Sequence, residues 1–405
     1  MSLIPPRLVT EIAEDCRLAG GRALLVGGCV RDHLMGLPVK DWDVEVHGVT
    51  LEALRALLLE RGRVDEVGRS FGVFKIRRGR AELDVSVPRR DSRQGPGHRG
   101  ISVQGDPWMG LHEAVRRRDL TVNAVYFDPL SRELIDPSGG LDDLAARRLR
   151  AVDADTFLED PLRALRVVQF AARLDFAVDD ALVALCREAP LDELPPERVE
   201  GEWRKLLVQG VARERAMGVA RAMRILPRVF PEVEPWSPGA LDRLPPIASP
   251  RRRYAVALGV WLGQTPRDGV ERTLDRLRLH KVEGWDLRRA VLELRRARDL
   301  PLEGSAALKL ASAQVELQLL LWLRRAEGGS VDWDLAGQLG ILTDPPSPWI
   351  RGRDLLGLGF ARGPHLGPLL REIYRLQLSE RLSDPDEALA LAKKYALERE
   401  EPLKS

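Results

Sequence analysis

The sequence predicts an α+β protein: an N-terminal head built on a mixed β-sheet, followed by an all-α neck, body and tail. Three observations predict it. Residues 24–46, LLVGGCVRDHLMGLPVKDWDVEV, read as a strand, a glycine turn, a short helix and a second strand. Short β-prone runs, VDEVG, VFKIRRG and AELDVSV, then follow one another between glycines. Beyond about residue 141, apolar positions recur at helical spacing with Pro and Gly as punctuation. The expected domains are a head over 1–140, a helical neck over 141–208, a helical body over 209–330 and a helical tail over 331–405.

Within residues 3–19, Leu8, Ile12, Ala13 and Cys16 space a lead-in helix that packs on the first sheet. Gly27 and Gly28 let the backbone turn tightly and approach a phosphate, whose charge the amides at the next helix start accept. The second strand carries Asp41 and Asp43. Alternation puts both on one face and Trp42 on the other. Two carboxylates that close need a cation between them, and oxygen ligands on a rigid strand suit Mg²⁺. LEALRALLLERG is an amphipathic helix that ends at Gly62. Asp84 sits in AELDVSV, on a strand able to neighbour that of Asp41.

Residues 87–115 are rich in Gly, Pro and Arg and lack periodicity, which predicts a long functional loop. Arg117, Arg118 and Asp119 then precede an apolar run that contains Asn123 and Ala124. Guanidinium groups in such a run are preferred bidentate ligands for phosphate. Asp136, Gly139 and Gly140 predict a structural turn or hinge before a helix over 141–149. Pro161 fits the first helical position with Asp160 as N-cap, and Arg163 addresses the same side of that helix start, with Arg166 further along. Glu197, Arg198, Glu202 and Lys205 fall on a neck helix and are expected to be structural. In the body, Leu274, Leu277, Val282, Leu287, Val291 and Leu294 show mixed helical spacings amid charge.

Composition narrows the classes. With 405 residues, 44% hydrophobic and 31% charged, the chain fits a soluble globular protein of two to three domains. No apolar run reaches a membrane span and no leader pattern is present, so the expectation is a cytoplasmic protein with no membrane partner. Cys16, Cys29 and Cys186 lack CxxC spacing and are expected to be buried apolar residues. The formal charge is +2, so any nucleic-acid surface must be a local basic patch. No Gly-Lys dipeptide occurs, which excludes a P-loop.

The order apolar strand, Gly-Gly-x-Val-Arg-Asp, short helix, Lys-Asp-x-Asp resembles the signature of the DNA polymerase β-type nucleotidyltransferase superfamily. Arg31 and Asp32 after the glycines make it similar to class II tRNA nucleotidyltransferases (CCA-adding enzymes) and the bacterial poly(A) polymerases. The likeness continues through Arg117-Arg118-Asp119…Asn123-Ala124 and Glu159-Asp160-x-x-Arg163, spans roughly residues 20–210, and returns at 348–395. It implies catalytic Asp41, Asp43 and Asp84, with Asp41 and Asp43 holding two Mg²⁺ ions. It further implies nucleotide contacts from Gly27, Gly28, Arg31, Asp32, Arg117, Arg118, Asp119, Asn123, Asp160, Arg163 and Arg166. The substrates implied are CTP, ATP and the tRNA 3′ end.

The residue types make chemical sense of the last motif. Cytosine and adenine both offer an amino donor beside a ring-nitrogen acceptor, whereas uracil and guanine reverse the order. One carboxylate and one guanidinium therefore admit C and A and refuse U and G. The expected reaction is template-independent addition of C, C and A to tRNA with release of pyrophosphate. The alternatives are CC-only or A-only addition, a poly(A) polymerase, or a non-catalytic RNA-binding protein. The full-length 87–115 stretch favours complete addition, and its motion is expected to shift preference from C to A. No His precedes an Asp, so the His-Asp phosphohydrolase domain of many relatives is absent or degenerate and no transition-metal site is expected.

Overall fold

A computed structural model of the chain describes residues 3–66, 72–93 and 101–398. They form two compact units, Met1–Val229 and Phe230–Ser405. The first unit opens with α1 (Arg7–Leu18), β1 (Arg22–Val26), α2 (Gly28–Leu34), β2 (Asp43–His47) and α3 (Leu51–Arg61). Next come β3 (Arg63–Glu66), β4 (Val73–Arg78) and β5 (Ala81–Ser86), then β6 (Arg89–Arg93), β7 (Ile101–Gly105) and α4 (Leu111–Arg116). β8 (Tyr126–Phe127) and β9 (Leu134–Ile135) complete a seven-stranded sheet in the order β3-β4-β5-β2-β1-β8-β9. Its neighbours are antiparallel except for the parallel pair of β2 and β5. That mixed sheet is the head the sequence predicts.

Why β1 sits at the centre follows from its residues. Ala23 and Leu25 pack on one face with Leu8, Ile12, Leu54 and Leu58 of the two covering helices, while Leu24 and Val26 pack on the other with Val115 and Tyr126. A strand covered on both sides reads as a continuous apolar run, as Ala23–Val26 does. β2 is different. Val44 and Val46 enter the helix-covered core, which leaves Asp43, Glu45 and His47 on the opposite face by alternation.

Three local expectations need correction. β2 begins at Asp43, so Asp41 precedes the strand; the ladder reaches only as far as the Trp42 carbonyl, which accepts from Asp84 N at 2.9 Å. The 87–115 stretch is not one loop: β6 and β7 pair as an antiparallel hairpin from Arg89↔Gly105 to Arg93↔Ile101, and residues 94–100 lie outside the described residues. Main-chain bonding holds this ladder without an apolar alternation to advertise it. The helix expected over 141–149 stops early. It is α5 (Gly140–Ala145), closed where Arg147 adopts φ +51°.

α5 is followed by β10 (Arg148–Leu149), α6 (Ala154–Phe157), α7 (Leu162–Leu174), β11 (Ala177–Val178), α8 (Asp180–Arg187), α9 (Pro196–Gln209), α10 (Arg213–Ala222) and α11 (Ile225–Val229). α7 carries the base of this helical layer. Eleven of its thirteen residues, Arg163 and Gln169 among them, are buried, so it needs neighbours on nearly every side and polar partners for its buried polar groups.

The second unit is helical. α12 (Pro250–Trp261), α13 (Arg267–Arg276), α14 (Leu287–Ala297), α15 (Gly304–Ser312) and α16 (Leu317–Ala326) follow one another; α12 packs on α14 and α16 and carries buried Tyr254 and Trp261, the latter edge-on to Phe230 at 4.9 Å. Val282 lies in a two-residue hairpin between α13 and α14 rather than on a helix. α17 (Trp333–Gln338) leads to α18 (Gly352–Gly357), α19 (Leu366–Leu378) and α20 (Pro385–Glu398), which share a core of Ile350, Leu355, Phe360, Leu369, Ile373 and Ala392. Cys16, Cys29 and Cys186 are buried thiols. Among the described residues, no single helix is long and apolar enough to cross a membrane.

Candidate active site

The acidic face of the sheet begins at Gly27. Its φ of +85° is a conformation L side chains rarely adopt, and a Cβ there would stand 3.1 Å from Asp43 Oδ2. Glycine therefore lets the turn close down on the carboxylate. Asp84 lies opposite Asp43 in the parallel β2–β5 register, and Asp41, exposed, precedes the same strand. Burial raises the pKa of Asp43; Arg118 opposes that shift, and the Asp84 and Asp41 carboxylates add to it. An acidic cluster whose members repel one another in this way fits a hard cation held by carboxylate oxygen. Among the described residues no group of three or more His, Cys, Asp or Glu is placed to hold a metal ion by itself. Remaining ligands would have to come from water or substrate phosphate, as Mg²⁺ prefers.

Beside the acids stands a buried ion-pair cluster. Arg118 Nη2 is 2.8 Å from Glu45 Oε2, the Tyr126 hydroxyl donates to Glu45 Oε1 at 2.8 Å, and His47 Nε2 lies 3.2 Å from the same oxygen. Burial would raise Glu45, but the Arg118 charge and these hydrogen bonds hold it down to about 2. The Arg118 guanidinium also rests over the Tyr126 ring at 5.5 Å. Arg118 is thus fixed between Glu45 and Asp43.

A second network runs behind the glycine turn. Arg31 is buried and donates to Asp32 Oδ1 and to Asn123 Oδ1; Asn123 Nδ2 donates to Asp119 at 3.1 Å, and Asp119 accepts from Arg166 Nε at 2.7 Å. Asp32 also accepts from Arg173 at 3.3 Å. Both Arg31 and Arg166 lie against the Phe170 ring, at 5.1 and 5.3 Å. Burial opposes the charge on Asp119, yet Arg166 and Asn123 keep its pKa low. Arg31, Asp32 and Asn123 are therefore placed inside the head, joining α2 to α7.

A cleft of about 380 Å³ opens next to these networks. Its walls include Glu45, Arg117, Arg118 and Asp119 from the head and Asp160, Arg163, Arg166 and Arg198 from the helical layer. α7 begins at Leu162 with Pro161, not Asp160, at the N-cap position; Asp160 still accepts from Leu162 N at 3.1 Å, and its other oxygen accepts from Arg198 Nη2 at 2.8 Å. Burial would raise its pKa; Arg198 lowers it. Arg163 donates to the carbonyls of Thr156 at 2.8 Å and Arg117 at 2.6 Å, which ties the start of α7 to the Arg117–Asp119 segment. Sequence reasoning leaves Glu45 out and gives Arg198 only a structural part. Glu45 follows Asp43 by two and so shares its face, a signal available from alternation alone. Arg198 reaches Asp160 across thirty-eight positions, and nothing local marks it.

Asp136 plays the structural part expected, bonding the amides of Gly140 and Leu141 at 2.9 and 2.8 Å. Gly140 is needed there, because a Cβ would meet the Thr121 carbonyl at 2.2 Å. Beneath it, fully buried Asp143 binds Thr121, Arg148 and Arg150.

Residues 23–150 match the family model of the poly A polymerase head domain. The chain is 40% identical over 214 residues to the multifunctional CCA protein of Nitrosococcus oceani, covering 52% of the chain and 50% of that protein. It is 36% identical over 255 residues to the counterpart from Laribacter hongkongensis, covering 62% and 59%. The match thus spans about half the length of these relatives. Among solved structures, the Bacillus stearothermophilus CCA-adding enzyme in complex with CTP superposes with a TM-score of 0.71 at 21% identity, covering 98% of this chain and 99% of that one. The Thermotoga maritima CCA-adding enzyme complexed with tRNA superposes at 0.68 and 19% identity, covering 97% and 96%. Residues 23–150 are thus similar to the poly A polymerase head domain, on a chain whose fold is similar to that of the CCA-adding enzymes.

Proposed function

We propose that this protein adds C, C and A to the 3′ end of tRNA from CTP and ATP, releasing pyrophosphate, without a nucleic-acid template. The observation that carries the reading is a cleft lined together by Arg118, which stands beside Asp43, and by Asp160 and Arg163. Charge handling and base reading thereby border the same cleft. The names of the relatives and the extent of the fold match, which runs through the tail, support tRNA over a free adenylate tail as substrate. The division into head, neck, body and tail belongs to the same reading, as does a cytoplasmic location.

In this reading Asp41 and Asp43, helped by Asp84, present oxygens to two Mg²⁺ ions, which supply activation of the terminal 3′-hydroxyl and charge relief for the leaving pyrophosphate. Arg117 and Arg118 draw the triphosphate into the cleft, and Glu45 fixes where Arg118 can reach. Asp160, ionised and oriented by Arg198, accepts the amino hydrogen of C or A; a carboxylate has lone pairs enough for both partners. Arg163, locked to the Thr156 and Arg117 carbonyls, presents its guanidinium to the ring nitrogen. Arg31, Asp32, Asp119, Asn123 and Arg166 serve the nucleotide by holding the turn and α7 in place. Gly27 and Gly28 keep the backbone low enough for phosphate to approach.

Transcripts lacking the last three, two or one nucleotides, each incubated with one labelled triphosphate, test the assignment. Stepwise C, C and A incorporation that vanishes in Asp41→Ala/Asp43→Ala is the expected result. Retained incorporation in that variant sinks it, and AMP addition to a CC end alone replaces it with A-only addition.

A further inference from the structure

Lys75 lies on β4 directly opposite Asp84 of β5, and Asp84 lies opposite Asp43 of β2. One ammonium and two carboxylates therefore stand in a row across three adjacent strands. Lys75 Nζ is 2.8 Å from Asp84 Oδ1 and 2.9 Å from Glu82 Oε1. Glu82 has a counter-ion of its own in Arg77, whose Nε is 2.6 Å away. The charge that Lys75 balances is accordingly that of Asp84. Arg118, the other cation beside Asp43, is already committed to Glu45.

We propose that Lys75 is the resident counter-ion of the third carboxylate and makes divalent-cation loading of the acidic face depend on the incoming triphosphate. The inference rests on the reading that Asp41, Asp43 and Asp84 receive the metal. With Lys75 in place, the three acids carry a net charge near −2 and one Asp84 oxygen is engaged. A bare dication gains too little there to shed its water. A triphosphate brings several further negative charges and its own oxygen ligands, which together outweigh one ammonium. Cation and nucleotide then arrive as a pair.

Mn²⁺ binding to the full-length protein, followed by the electron paramagnetic resonance of the free ion, reads this without turnover. Lys75→Met is expected to tighten Mn²⁺ binding roughly tenfold in the absence of CTP, the Coulomb effect of one unit charge on a dication a few ångströms away in a water-like dielectric. With CTP present the two proteins should agree within about threefold. Lys75→Arg should behave as the parent, and Lys75→Met/Asp84→Asn should return to the parental affinity. A variant that merely disturbed the sheet would weaken Mn²⁺ binding. Unchanged or weaker binding by Lys75→Met, alongside loss of binding in Asp41→Ala/Asp43→Ala, overturns the inference and leaves the active-site reading standing. Binding that survives Asp41→Ala/Asp43→Ala overturns both.

Discussion

Replacing Glu45 with Gln keeps the shape of the side chain and removes its charge. In the native head that carboxylate is 7% exposed and takes hydrogen bonds from Arg118 and Tyr126 at 2.8 Å each. Its pKa lies near 2, against an ordinary value of 4.5. That difference corresponds to about 3 kcal/mol of head stability at neutral pH. The sign is that of a depressed acid: the contribution is complete above the unfolded value and is lost as pH falls towards 2. At pH 3 only about 1 kcal/mol remains by the same linkage. Hydrogen exchange of peptides covering β1 and β2 measures this locally, which matters in a chain of two compact units where one global transition is not defined. Glu45→Gln should exchange on the order of 100-fold faster than the parent at pH 7, and the gap should shrink to under about tenfold at pH 3. A pH-independent gap, or none, would refute the account of Arg118 as a charge fixed by Glu45.

Asp160→Asn should keep the hydrogen bond to the Leu162 amide while offering the base an amide in place of a carboxylate; the ratio of CTP to UTP incorporation, taken from single-turnover rates, is expected to fall about 10- to 100-fold. Gly27→Ala forces a side chain into φ +85° and against Asp43, so about 2 kcal/mol of head stability should be lost, with CTP incorporation falling at least as far as the fraction unfolded; an unaltered melting transition would show that the turn relaxes freely.

Much of the head was readable because its signals are local. The run Ala23–Val26 shows a strand buried on both faces, Leu8, Ile12 and Cys16 mark the helix that covers it, and Asp84 falls opposite Asp43 because the two β-prone runs that carry them pair as neighbours. The β6–β7 hairpin was missed since main-chain bonding, which no side-chain periodicity reports, holds it together. The end of α5 depended on the left-handed turn at Arg147, a conformation no more expected of arginine than of its neighbours. Within the site, residue type announced Asp43, Asp160 and Arg163, but it said nothing of direction. Arg31 looked like a phosphate ligand and turns inward to Asp32 and Asn123, whereas Arg198, expected to be structural, reaches Asp160 at the cleft. Pairings between distant segments decide such matters, and they exist only once the chain is folded.

α7 is fastened along its length: Arg163 to the Arg117 carbonyl, Arg166 to Asp119, Phe170 beneath two guanidinium groups, and Arg173 to Asp32. Four rivets over three turns tie the helix that starts at the proposed nucleotide selector to the segments behind the glycine turn, as one jaw. A tool of that kind measures against a fixed gauge. In the proposed reaction, the change from cytidine to adenosine therefore falls to whatever the rivets leave loose: rotation of side chains such as Asp160 and Arg198, the β6–β7 hairpin, or the lengthening RNA end, which resets the gauge by occupying more of it with every nucleotide added.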